Sequence, residues 1–263
     1  MSPTASALLL TAPAAAPLLV AGAYALAALS TRSTAPAFLT PRVSARGAVL
    51  VAESPEPDEA LKRYPAAWAA LVSPVVILAC GSLLASAVIT NGPRAAYSGL
   101  LRADALTVWM LLVVGAVALI ACGSAPAYLA GELAAGRATA ETLWRYHVLV
   151  QAFLAAMCLA VVTANLGVLW VAIEATTIVT AFLVGHRRTR TSVEAAWKYM
   201  VICSAGIALA FLGTVLIYYA ARQAGITEAW AVDWPTLVAR VDCCAAEWSP
   251  AGWPCARCPI RPG

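Results

Sequence analysis

The stretch Asn165–Tyr219, NLGVLWVAIEATTIVTAFLVGHRRTRTSVEAAWKYMVICSAGIALAFLGTVLIYY, holds two apolar runs joined by a short basic hinge. Each run has the length, about 20 residues, that a helix needs to cross a bilayer core. Each also carries one ionisable residue, Glu174 in the first and Lys198 in the second. Charge in hydrocarbon costs several kcal/mol, so an acid or base inside a span is by default a functional-site hypothesis. Glu174 stands nine residues past Asn165 and twelve before His186, roughly 13 and 18 Å along a helix. That depth is near the middle of the core, beyond the reach of snorkelling. The alternative is a neutral, bundle-facing acid that serves packing alone. Lys198 is shallower, and Glu194 precedes it by four residues, the favourable order for a pair on a helix surface. A functional lysine and an interfacial ion pair are both open there.

The same residues carry a family resemblance. WVAIEATTIVTAFLVG followed by EAAWKYMVICSAGIALAFLGT resembles helices five and six of the antiporter-like membrane subunits. These occur in NADH:quinone oxidoreductase, in Mrp-type sodium/proton antiporters and in group 4 membrane-bound hydrogenases. The W-x-x-x-E and E-A-A-W-K-Y forms are most similar to the F-type membrane subunit of hydrogenase-4. The likeness runs from about Leu100 to about Leu237 and is weaker before that. It implies an all-α integral membrane protein of about six spans, the N-terminal part of a longer antiporter-like bundle. It also implies partner subunits that carry electron transfer, and no cofactor on this chain. In that scheme Glu174 exchanges a proton, and Lys198 sets its affinity or passes charge onward. The family also uses a lysine on a seventh helix and residues of a second inverted repeat, and this chain has no counterpart of either.

Composition reaches the membrane without the resemblance. The chain has 263 residues, 62% of them hydrophobic and 11% charged, and a mean hydropathy of +0.81. Soluble domains carry about 25% charged residues. The net charge is +4, but the basic residues sit in loops and form no continuous face for a nucleic acid.

Spans are predicted at residues 6–30, 66–90, 100–122, 146–163, 168–185 and 193–219, within a transmembrane region over 1–220. The apolar N-terminus lacks a basic n-region and outlasts a signal's apolar core, so it is read as a spanning helix. Thr31–Pro65 is a polar connector with an acidic ESPEPDE cluster and a short apolar patch at Gly47–Ala52. Asn91-Gly92-Pro93 marks a turn. Arg102 and Asp104 are predicted to pair at the membrane interface, with a functional role for Asp104, which the resemblance implies, as the alternative; Ser124–Arg145 is predicted to be a loop. His147 opens the fourth span as a boundary residue or a proton relay.

With the N-terminus outside, inner loops hold Arg32, Arg42, Arg46, Lys62, Arg63, Arg137, Arg145, Arg187, Arg188 and Arg190. The opposite loops hold only Arg94 and Arg102. This bias orients the bundle, in a bacterial-type inner membrane if the resemblance holds.

Residues 221–263 are predicted to be a polar connector and a non-family tail. From Cys243 onward the chain is dense in Cys, Trp and Pro, as an out-of-frame or truncated end would be. A metal site on Cys243, Cys244, Cys255 and Cys258 and extracytoplasmic disulfides stand as alternatives. Cys80, Cys122, Cys158 and Cys203 lie in spans and read as small apolar packing residues. No dinucleotide fingerprint, phosphate loop, HExxH or nucleophile elbow occurs. Two functions follow as expectations. One is a membrane subunit of a redox-driven complex that translocates protons or sodium. The other is a membrane anchor or assembly subunit with no transport of its own. A stand-alone transporter is disfavoured, because the Glu-bearing unit is not repeated.

Overall fold

A computed structural model describes residues 3–32, 68–134, 140–187 and 189–247. The predicted connector at 33–65, with its acidic cluster and apolar patch, lies outside the described residues, as do Cys255 and Cys258. The described residues form seven α-helices and one small hairpin, with short 3-10 turns. They are α1 (Pro3–Arg32), α2 (Val72–Asn91), β1 (Arg94–Ala96), β2 (Leu101–Ala103), α3 (Ala105–Ala134), α4 (Ala140–Val162), α5 (Leu166–Val184), α6 (Arg190–Gln223) and α7 (Trp234–Glu247). The first six helices are each long and apolar enough to cross a membrane. The protein is therefore an all-α membrane protein, as expected.

Several predicted boundaries are corrected. The third span begins at Ala105 and not at residue 100, because Leu101–Ala103 pairs antiparallel with Arg94–Ala96. Tyr97, Ser98 and Gly99 close that hairpin with positive φ angles of 53°, 57° and 95°. The predicted loop Ser124–Arg145 is mostly helix. α3 continues through Pro126 to Ala134, and α4 starts at Ala140. Ser124 lies within this helix, and its hydroxyl donates to the Ala121 carbonyl, 3.1 Å away. The second span starts at Val72, after a turn at residues 68–71 closed by Leu71 N–H to the Trp68 carbonyl. Beyond Asp233 the chain forms a helix that runs through Cys243 and Cys244 to Glu247.

Helix ends are set by local chemistry. Asn165 accepts from the Gly167 and Val168 N–H groups at 2.9 and 3.2 Å and starts α5. Thr189 and Ser192 cap each other in a reciprocal box at the start of α6. Gly92, at φ +77°, ends α2 with its N–H on the Val88 carbonyl; a left-handed backbone there favours glycine.

α1, α2, α3 and α4 form the packed body, with α1 against α2 and α4, and α2 against α3. One core cluster, at the hairpin end, joins Leu10, Ile77, Leu84, Leu101, Val108, Leu111, Cys158 and Val162. A second, toward the hinge end, joins Tyr24, Ala70, Ala118, Cys122 and Leu154. α5 packs on α4, and α6 packs on α5. After α6 the chain returns to the α4–α5 turn. There Leu166 N–H bonds the Val232 carbonyl and Trp234 N–H bonds the Ala164 carbonyl, at 2.9 and 3.0 Å. Cys80, Cys122 and Cys158 are buried, free thiols and Cys203 is half-buried, consistent with packing.

Close approach of α2 to α3 rests on small residues, as helix association in lipid requires. A Cβ at Gly115 would stand 2.9 Å from Leu78 Cγ and 3.2 Å from Ile77 Cγ2. Gly115→Val is therefore expected to lower unfolding stability in mixed micelles by about 1–3 kcal/mol, the usual range for overpacking. Gly22→Ala, where nothing lies within 4 Å, is the control expected to leave stability unchanged or raised. Equal stability of Gly115→Val and the wild type would refute this packing.

Candidate functional site

Glu174 is the ninth residue of α5, and its face of the helix is fixed by its neighbours. Trp170, Glu174, Thr177 and Ala181 recur at helical spacing and share one side. Trp170 Nε1 donates to the Ile207 carbonyl of α6 at 3.1 Å, and its ring packs on Phe211 with centroids 4.6 Å apart. At the hinge end, a Cβ on Gly185 would lie 3.4 Å from Ala196 Cβ. Between these points the Tyr199 hydroxyl meets the Thr180 and Cys203 side chains. The two helices run antiparallel in this register, so Glu174 falls opposite the turn from Cys203 to Ile207. Lys198 falls opposite the turn around Thr180, nearer the hinge.

The Glu174 carboxyl oxygen Oε2 is buried and has no hydrogen-bond partner among the described residues. The backbone carbonyl of Glu174, by contrast, accepts from Thr177 Oγ1 at 2.8 Å. A buried polar atom without a partner costs about 1–3 kcal/mol. Folding alone does not select such a position.

Lys198 is not brought to Glu174. Its ammonium pairs with Glu194 across one helical turn, and the two side chains are 59% and 57% exposed. The Glu194–Lys198 pair weighed from the sequence thus forms. Asp104 differs from its expected role. Its Oδ1 accepts from the Thr107 N–H at 2.9 Å and caps α3, and it forms no ion pair with Arg102 among the described residues. Asp104 and Arg102 line an open groove of about 560 Å³ with Thr163 and Trp234 at the hairpin end.

His147 is also relocated. It is the eighth residue of α4, is 5% exposed, and is not a boundary residue. Its ring stacks on Tyr24 with centroids 5.0 Å apart and planes 9° apart. Tyr146 meets His147 on one side and His186 on the other, each at 5.8 Å between centroids. Both histidines of the chain therefore converge on one tyrosine. Sequence reading missed this, because 39 residues separate the two and nothing local signals the contact. It also passed over Gln151, which is fully buried on α4. A lone polar residue in the apolar run HVLVQAFLAAM was the available signal.

Cys243 and Cys244 lie on α7. Among the described residues no group of three His, Cys, Asp or Glu side chains is placed to hold a metal ion.

Comparison with known proteins gives a similarity over about half the chain. The chain is 36% identical over 134 residues to a hydrogenase-4 component F homolog of Methylacidiphilum infernorum (isolate V4). The resemblance to the antiporter-like hydrogenase subunits therefore holds. The match covers 51% of this chain and 28% of that relative. No family model and no solved structure matches the chain.

The exposed Glu194–Lys198 pair sets an expectation for stability. Surface pairs contribute about 0.2–1 kcal/mol. Glu194→Gln should shift reversible unfolding in mixed micelles by no more than that. A loss of about 3 kcal/mol or more would mean that the pair is buried.

Proposed function

We propose that this chain is a membrane subunit of a redox-driven complex that moves protons, or another small cation, with Glu174 as the exchanging group. The buried, unpartnered carboxyl oxygen of Glu174 on the α5–α6 interface carries this reading. A carboxyl with a free oxygen inside the bundle is able to take up and release a proton without breaking an existing bond. The similarity to a hydrogenase-4 component F homolog supports it, since that relative is named as a hydrogenase component. Electron transfer is assigned to partner subunits. Lys198 acts on Glu174 through intervening water or a rearranged side chain, because its ammonium is held by Glu194.

A second reading is a membrane anchor or assembly subunit. The outward Glu194–Lys198 pair and the apolar surface of α6, including Val201, Ile202 and Leu209, favour it. These features offer contact area and no chemistry.

Proton uptake per electron in reconstituted vesicles separates the two. Glu174→Gln keeps shape and hydrogen-bonding capacity but removes the titratable proton. Pumping should fall by about tenfold or more, in line with loss of a positioned proton-transfer group, while the complex still assembles. Glu174→Asp should retain part of the activity. A Glu174→Gln complex that assembles and pumps at the wild-type ratio would establish the anchor.

A further inference from the structure

A second set of buried polar atoms lies between α2 and α4, away from the α5–α6 interface. Its origin is the turn before α2, where the Ala70 carbonyl lies outside the helix and the residue four on, Pro74, has no N–H to offer it. The Ala70 carbonyl is filled instead from α4, where Gln151 Nε2 donates to it at 3.2 Å across 81 residues of sequence. The Tyr24 hydroxyl of α1 meets the Ala70 backbone as well. α1 and α4 thus both reach Ala70 in the turn before α2, and Ala70 is 1% exposed.

This arrangement leaves two atoms over. Gln151 Oε1 and Ser73 Oγ are both buried without a hydrogen-bond partner among the described residues, on side chains that are 0% exposed. The orientation of the Gln151 amide is fixed, because turning it over would set oxygen against the Ala70 carbonyl oxygen. Ser73 is the second residue of α2 and follows Ala70 by three residues, and a helical side chain leans back toward the preceding turn, where Gln151 meets Ala70. His147 lies one turn before Gln151 on α4 and closes the hinge side of this region with its ring stacked on Tyr24.

Two buried orphan atoms are costly to leave unmet. A buried water that makes two to four hydrogen bonds removes that cost. We propose that Ser73 Oγ and Gln151 Oε1 together bind one internal water molecule, making a hydrated site between α2 and α4 that is separate from Glu174. The water donates one hydrogen to Gln151 Oε1 and the other to Ser73 Oγ, or accepts from the Ser73 hydroxyl. The site does not depend on proton translocation by the chain.

The chain has two glutamines, Gln151 and Gln223, so selective side-chain nitrogen labelling resolves both in the full-length protein in nanodiscs. Gln223 is exposed and bonds the Tyr219 hydroxyl, which makes it the internal reference. The Gln151 amide should exchange with bulk water far more slowly than Gln223. It should also show a direct cross-peak to a long-lived water. Ser73→Ala should abolish or strongly weaken that cross-peak while leaving the Gln151 amide slow to exchange through its bond to Ala70. A folded wild-type protein with a slow Gln151 amide and no water cross-peak would overturn the proposal. So would a cross-peak of unchanged strength in folded Ser73→Ala. If Ser73→Ala does not fold, the wild-type spectrum alone decides.

Discussion

Inside a bilayer every backbone N–H and C=O must find its partner within the protein, and the structure depends on how this chain meets that demand. Long helices satisfy most groups, and the ends and breaks need side chains. Asn165, Thr189, Asp104 and Asp233 each take backbone N–H groups at the start of a helix. Ser82, Ser86 and Thr90 return their hydroxyls to carbonyls of their own helix. The Ala70 carbonyl, in the turn before α2, is filled by Gln151 from α4. Against this consistent satisfaction, the few polar atoms left without partners among the described residues are informative.

Glu174 is the one acidic residue among them. Its place follows from the α5–α6 contact, where the Trp170 indole bonds to α6 and the small residues Gly185 and Ala196 let the helices close at the hinge end. That register sets Glu174 level with the turn from Cys203 to Ile207 and carries Lys198 past it toward the hinge. Acid and base on neighbouring helices are thus held at different depths.

Much of this was legible in the sequence, and the reasons differ by element. Six apolar runs of bilayer length were countable. The ordering of Glu194 before Lys198 and the depth of Glu174 came directly from residue spacing. The ends were less legible. Ser124 and Pro126 read as loop by composition, yet a serine that bonds its own helix and a proline inside α3 are both tolerated in lipid. Asp104 carried a cap signature, with Thr107 three residues on, that the nearby Arg102 obscured. The convergence of His147, Tyr146 and His186, and the bond from Gln151 to Ala70, are tertiary facts. No local pattern encodes a partner 39 or 81 residues away.

The register of α5 against α6 is the point on which the account of Glu174 rests, and cross-linking tests it directly. On a background without native cysteines, Gly185→Cys with Ala196→Cys should form a disulfide rapidly in membranes, since Cβ atoms about 3.5–4.5 Å apart suit that bond and these positions approach to 3.4 Å. Glu174→Cys with Lys198→Cys should not cross-link under the same oxidation. Rapid cross-linking of the 174–198 pair, with none at 185–196, would contradict the register and bring the acid and the lysine together.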